Sequence, residues 1–234
     1  MFDDIRPYYD AEIPAAMHRI AAHPSFSVLA SFVFPDREVE EVRQQVAAIT
    51  NIKDFQYQIM YAANRQIIER STSGFTFGGI ENIDPTKSYL YISNHRDIML
   101  DASLLQNILI EYQIGTSEIT FGENLMRGEL VIDIGKSNKM FKVERPGGSI
   151  MEFYKASKHL SEYIRYVLTE RHQSVWIAQR NGRTKDGIDR TAQGIIKMFS
   201  MSGCGDRVSR LAESNIVPVS VSYEWEPCDM LKAR

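Results

Sequence analysis

Residues 74–95 read GFTFGGIENIDPTKSYLYISNH, and the chain changes character within them. The stretch predicts a short strand starting near Gly74, a turn carrying Asp84 and Pro85, and a second strand from Ser88 to Ser93. Past His95 a helical pattern takes over. Downstream, strand-like runs at residues 118–122, 174–178 and 216–223 alternate with helical stretches at 99–112, 149–169 and 191–201. Alternation of this kind specifies an α/β domain, with a central mixed, largely parallel sheet flanked by helices. Upstream, residues 1–73 read as an N-terminal helical region packed on the core of an α/β domain spanning 74–234. Val39, Val42, Val46 and Ile49 mark one apolar stripe, and after a break near Asn51 a second runs through Phe55, Ile59, Ala63 and Ile67. Stripes of this kind are buried faces. The segment PSFSVLASFVFP, between Pro24 and Pro35, is the better candidate for contact with lipid.

Composition narrows the function. With 27 basic and 30 acidic residues the formal charge is −3 and the isoelectric point is near 6.0, so the electrostatic footprint that nucleic acid demands is missing. The two cysteines, Cys204 and Cys228, fall in no metal-ligand or redox spacing, which fits a reducing compartment and predicts no metal site. The start, MFDDIRPYYDAEIP, resembles no signal or transit peptide. The longest apolar stretch, around Phe26 to Phe34, is far shorter than the roughly 20 residues that span a bilayer. The expected location is the cytoplasm, with peripheral association at the inner face of the membrane.

The chemistry concentrates in SNHRDIMLDASLL, Ser93 to Leu105. It puts His95 between a buried strand and a helix, where active-site groups of α/β folds gather, with two aspartates close behind. A histidine paired with a carboxylate is the standard apparatus for taking a proton from an alcohol, because the carboxylate fixes the tautomer and stabilises the imidazolium. His18, His23, His159 and His172 lie in helical or turn contexts that lack this arrangement.

Four blocks in order resemble the glycerolipid acyltransferase superfamily, which includes glycerol-3-phosphate and lysophosphatidate acyltransferases. Asn94-His95 with Asp101 is similar to the family's N-H-x4-D block. Phe141 to Arg145, FKVER, resembles the second block, which ends in an acceptor-binding arginine. Trp176 to Gly187, WIAQRNGRTKDG, resembles the F-P-E-G-T-R-S block, and Val217-Pro218-Val219 the final V-P-V block. The resemblance implies transfer of a fatty acyl group from acyl-coenzyme A or an acyl carrier protein to a hydroxyl of lysophosphatidate or a related glycerophosphate. His95 is the implied general base and no cofactor is needed beyond the acyl-carrying co-substrate. Phospholipid biosynthesis, a lipid acceptor and a membrane surface as partner follow from the same resemblance.

Two positions depart from the pattern. Five residues, not four, separate His95 from Asp101, while Asp97 follows after one. On a continuous helix a six-residue offset turns about 600°, so pairing with Asp101 requires His95 to lie in the loop before the helix. Asp101 is the favoured orienting carboxylate; Asp97 is the other candidate, with an alternative role as helix N-cap. The second departure is Asn181, where the family carries a glutamate, which keeps hydrogen-bonding capacity without the charge.

Lys142, Arg145, Arg180, Arg183 and Lys185 come from different loops and are expected to converge beside His95, where guanidinium groups would hold an anionic acceptor. Gly182 and Gly187 bracket a sharp turn. Pro218 inside a strand predicts an edge. Neither a nucleophile elbow nor an activated cysteine is present, so transfer is expected to be direct. An acylated amino acid or another hydroxylated lipid as acceptor, and a non-catalytic lipid-binding protein of the same fold, are the alternative readings.

Overall fold

A computed structural model describes residues 1–144, 147–184, 188–227 and 229–232. Five strands, β1 Leu90–Ser93, β2 Glu118–Gly122, β3 Met140–Val143, β4 Val175–Ala178 and β5 Ile216–Val219, form one sheet in the order β3-β2-β4-β1-β5. Every pairing is parallel. The sheet is therefore purely parallel rather than mixed. A parallel sheet needs cover on both faces, and β1 is buried along its whole length.

Before the sheet come α1 Ile13–Ala22, α2 Phe26–Val33, α3 Val39–Ala47, α4 Ile52–Phe55 and α5 Tyr61–Ser71. Between the strands lie α6 Leu100–Glu111, α7 Glu129–Ser137, α8 Ile150–Thr169, α9 Gln193–Phe199 and α10 Arg207–Ala212. The steps β1 to β2 and β2 to β3 run one way along the sheet and the steps β3 to β4 and β4 to β5 run back. Right-handed crossovers then put α6 and α7 on one face and α8 and α9 on the other. The cores divide in the same way. Leu90, Ile92, Val175 and Ile177 pack with Tyr163, Val167 and Phe199, whereas Tyr89, Tyr91 and Trp176 pack with Ala102 and Leu109.

Two sequence expectations are corrected. No strand forms at residues 74–79: Phe75 and Phe77 alternate as a strand would, but they pack on each other, and Phe77 on Tyr112, instead of pairing with the sheet. The second N-terminal stripe shifts by one position. Phe55 is buried as expected, but a π-turn at Gln56–Met60 adds a residue to one helical turn, so Asn64 and Ile68 face inward in place of Ala63 and Ile67. α7 and β3 are additions to the sequence reading: β3 follows almost directly after the helix, through Lys139 at φ 57°.

The break near Asn51 is a helix cap, with the Asn51 side chain accepting from the Asp54 amide at 2.9 Å. Val42, Val46 and Ile49 join α1 and Phe26 in a separate N-terminal core, which α7 closes through Leu130 and Ile134. Pro218 lies in edge strand β5. Asn215 and Val219 turn their carbonyls to Leu90 of β1 and to Asn94 just after it, so by strand alternation Pro218 faces the open edge, where its missing N–H breaks no rung.

Candidate active site

The site lies where the parallel strands end, in the crevice typical of α/β sheets. His95 leaves β1 two residues after Ser93, with its backbone fixed on both sides. The Asp189 carboxylate accepts from the His95 amide, and the His95 carbonyl accepts from the Thr184 amide at 3.1 Å. Gln179, just past β4, donates to both the carbonyl and the carboxylate of Asp189 at 3.0 Å each. The loop after β4 is thereby stitched to the histidine.

Asp101 is completely buried in the first turn of α6, where the helix dipole favours a negative charge. Its Oδ2 accepts the Arg96 amide at 2.7 Å and the Asp97 amide at 2.9 Å, and lies 3.1 Å from His95 Nδ1. Tyr223 donates its hydroxyl to Oδ1 at 2.9 Å. A carboxylate already holding three donors accepts from Nδ1–H, and this fixes the neutral imidazole with its lone pair on Nε2. Nε2 has no hydrogen-bond partner among the described residues. His95 sits in the loop before α6, which absorbs the extra residue between it and Asp101. Asp97 makes that loop turn: its Oδ1 accepts the amides of Met99 at 2.8 Å and Leu100 at 2.9 Å. Met99, not Asp97, is the N-cap of α6; Asp97 ties the turn that leads into the helix, and Asp101 faces the histidine.

Asn94 extends the β1–β5 ladder by one rung. Its side-chain amide donates to the Val221 carbonyl at 2.8 Å and accepts from the Val221 amide at 2.7 Å, as the next backbone peptide would. The chain beyond β5 is held in line, and Tyr223 follows two residues later. Arg96 closes the segment through an ion pair with Glu226. Burial pushes the Tyr223 phenol well above its ordinary range, reinforced by the neighbouring Asp101 carboxylate, so it remains a donor at neutral pH.

A cleft of about 490 Å³ opens beside His95. Lys142, Arg180, Asn181, Gly182 and Arg183 line its polar part, and Phe121, Val143, Leu160, Ile195 and Met198 line an apolar part. Such a division suits an amphiphile. Lys142 is paired with Glu144 at 3.2 Å, and Arg180 donates to the Ile188 carbonyl at 3.3 Å. Arg183 has no hydrogen-bond or ion-pair partner among the described residues. Gly182 has φ 80° and no atom within 4 Å of an added Cβ, so backbone conformation rather than crowding calls for glycine there. Arg145, Lys185 and Gly187 lie outside the described residues.

His159 also lines the cleft, bonded through Nε2 to Asp4 at 2.9 Å and packed against Phe2. Spacing gave no sign of this, nor of Gln179, Asp189 and Tyr223, which reach the site through tertiary contacts. Among the described residues no group of three or more His, Cys, Asp or Glu side chains is arranged to hold a metal ion. No helix among them is long and apolar enough to cross a membrane.

A comparison with curated proteins returns no match. The family model described as Acyltransferase matches residues 74–222, well over half of the chain and all five strands. The chain therefore belongs to the Acyltransferase family, the glycerolipid acyltransferase superfamily domain, whose members transfer an acyl group from a donor to a lipid acceptor.

Proposed function

We propose that the protein transfers a fatty acyl group from acyl-coenzyme A or an acyl carrier protein to a free hydroxyl of lysophosphatidate or a related glycerophosphate, with His95 as general base. The observation that carries this reading is the buried Asp101 carboxylate on Nδ1, which leaves Nε2 as the proton-accepting nitrogen beside a half-apolar cleft. In the reaction the acceptor oxygen attacks the thioester carbonyl while its proton passes to Nε2. The new C–O bond forms, the C–S bond breaks, and the departing sulfur takes the proton back from the imidazolium. Asp101 holds the ring and offsets its transient positive charge.

Lys142, Arg180 and Arg183 supply the cationic wall for an anionic headgroup. Of these, Arg183 is the best anchor, because its guanidinium is not committed elsewhere among the described residues. Asn181 is exposed and leaves the wall one negative charge short of its counterparts in the family, which suits an acidic acceptor.

The test is thiol release from long-chain acyl-coenzyme A by purified protein, with lysophosphatidate, glycerol 3-phosphate and acyl-amino-acid acceptors. Wild type turns over with a phosphate-bearing acceptor and His95→Ala does not. Equal rates for the two proteins would reject His95 as the base. Ligand binding without turnover by either would favour a lipid-binding role.

Peripheral membrane association belongs to the same reading. At the start of α8, Ile150, Met151, Phe153 and Tyr154 are exposed, and the exposed Ile98 follows closely on His95. Phe153 and Ile98 also line the cleft, so this rim would let an amphiphile pass from a bilayer to the histidine without crossing water. α2 offers a second exposed apolar set in Val28, Leu29 and Phe32. Co-sedimentation with anionic vesicles at low salt, lowered by Phe153→Ser, checks the rim; binding that the substitution leaves unchanged counts against it.

A further inference from the structure

The C-terminal segment beyond β5, which none of the four family-like blocks includes, reaches back across the sheet end to Asp101. Asp101 has two oxygens. Oδ2 takes the histidine and two backbone amides, and Oδ1 takes only the Tyr223 hydroxyl at 2.9 Å among the described residues. The phenol arrives there by construction. Asn94, adjacent to the histidine, bonds both the N–H and the C=O of Val221, and Arg96, on its other side, pairs with Glu226. The residues flanking His95 thus clamp the segment that carries Tyr223, on either side of the tyrosine.

We infer that Tyr223 is a positioning residue of this site, which sets the orientation of the Asp101 carboxylate and how much of its charge reaches the His95 imidazole. The inference rests on the reading of His95 as general base. A donor on Oδ1 draws electron density from the carboxylate and tempers its hold on the imidazolium, so less of the ring is protonated at a given pH and more is free to act as base. It also pins the carboxylate plane, so that Oδ2 stays on Nδ1. The buried phenol keeps its proton at neutral pH, as a donor must. A residue that only filled space would need no hydroxyl there.

Tyr223→Phe removes that single hydroxyl. In thiol-release assays, kcat falls about 3- to 10-fold, the range expected for one hydrogen bond, with KM for both substrates nearly unchanged. The acid limb of the kcat/KM profile moves to higher pH, because the unquenched carboxylate holds the imidazolium more tightly. In an Asp101→Asn background the same substitution changes kcat by less than about twofold, since the charge it modulates is gone. Site-specific 3-fluorotyrosine at position 223 keeps the shape, donates more strongly and moves the acid limb the opposite way. It is the second variant should the phenylalanine protein fold poorly. An unshifted acid limb in both variants, or losses that add in full in the double mutant, overturns the inference. If His95→Ala retains wild-type turnover, the underlying reading fails instead, and the two failures are distinguishable.

Discussion

Asp101→Asn replaces one oxygen by nitrogen and removes one charge from the centre of the site. The asparagine has only one sensible orientation. Its oxygen must take the Oδ2 position, where His95 Nδ1 and the amides of Arg96 and Asp97 converge, because an NH2 group there would face three donors. Its nitrogen then faces Tyr223, whose hydroxyl turns to accept. The hydrogen-bond framework and the histidine tautomer survive, and only the charge is lost. Opposite unit charges about 4 Å apart attract by roughly 4 kcal/mol at an effective dielectric near 20. The carboxylate already shares its charge with three other donors, so about half of that, roughly 2 kcal/mol, is the share lost by the imidazolium in the transition state. The expected result is a drop in kcat of about 30-fold with KM little changed. Asp101→Ala is a poorer probe, since it strands two amides and a hydroxyl in a buried site at about 1–3 kcal/mol each. Thiol release measured alongside thermal melting decides the matter. A folded Asp101→Asn protein with kcat within about threefold of wild type would refute the argument that this carboxylate supports the base.

Asp97→Ala tests the division of labour between the two aspartates: losing the bonds to the Met99 and Leu100 amides lowers stability by about 1 kcal/mol, read as a lower Tm, while kcat falls far less than in Asp101→Asn. Arg183→Gln raises KM for a phosphate-bearing acceptor about 10- to 100-fold and spares KM for the acyl donor; equal effects on both would remove Arg183 from the headgroup wall. Stability also carries a pH signature. Burial lowers the Lys139 ammonium to about 8, so between that pH and its ordinary value near 10.5 the unfolded chain binds the proton that the folded one has released, and stability from this group rises with pH. Above about pH 10 the buried phenols reverse the trend: burial raises Tyr91 to about 12 and Tyr163 further, so the unfolded chain loses protons that the native state keeps. Thermal melts from pH 7 to 11 show a maximum near pH 10, and Lys139→Met flattens the rising side; an unaltered rise would locate its source elsewhere.

Much of the α/β region was legible because its strands are short apolar runs between helices with distinct periods. β2 and α8 fall almost where the sequence places them. Residues 74–79 misled because Phe75 and Phe77 alternate as a strand would, yet their rings pack locally and the segment pairs with no strand of the sheet. The π-turn at Gln56–Met60 was invisible since one inserted residue leaves composition unchanged while rotating the buried face. At the site, local order carried His95, Asp97 and Asp101, and loop geometry explains how a six-residue offset still brings His95 and Asp101 together. Tyr223 and Asp189 were beyond reach, as they meet the histidine loop across 122 and 94 residues of chain.

The outward face of β5 bears on how this protein survives crowding. An uncovered parallel edge is a template on which another chain can crystallise a strand, and fibrils begin that way. Pro218 deletes a donor from that row, leaving Ile216 as the only outward-facing residue of the strand with an N–H to offer. An incoming strand would find a broken zipper. Replacing the proline with valine would restore the missing tooth and turn a terminus of the sheet into a place where association can start.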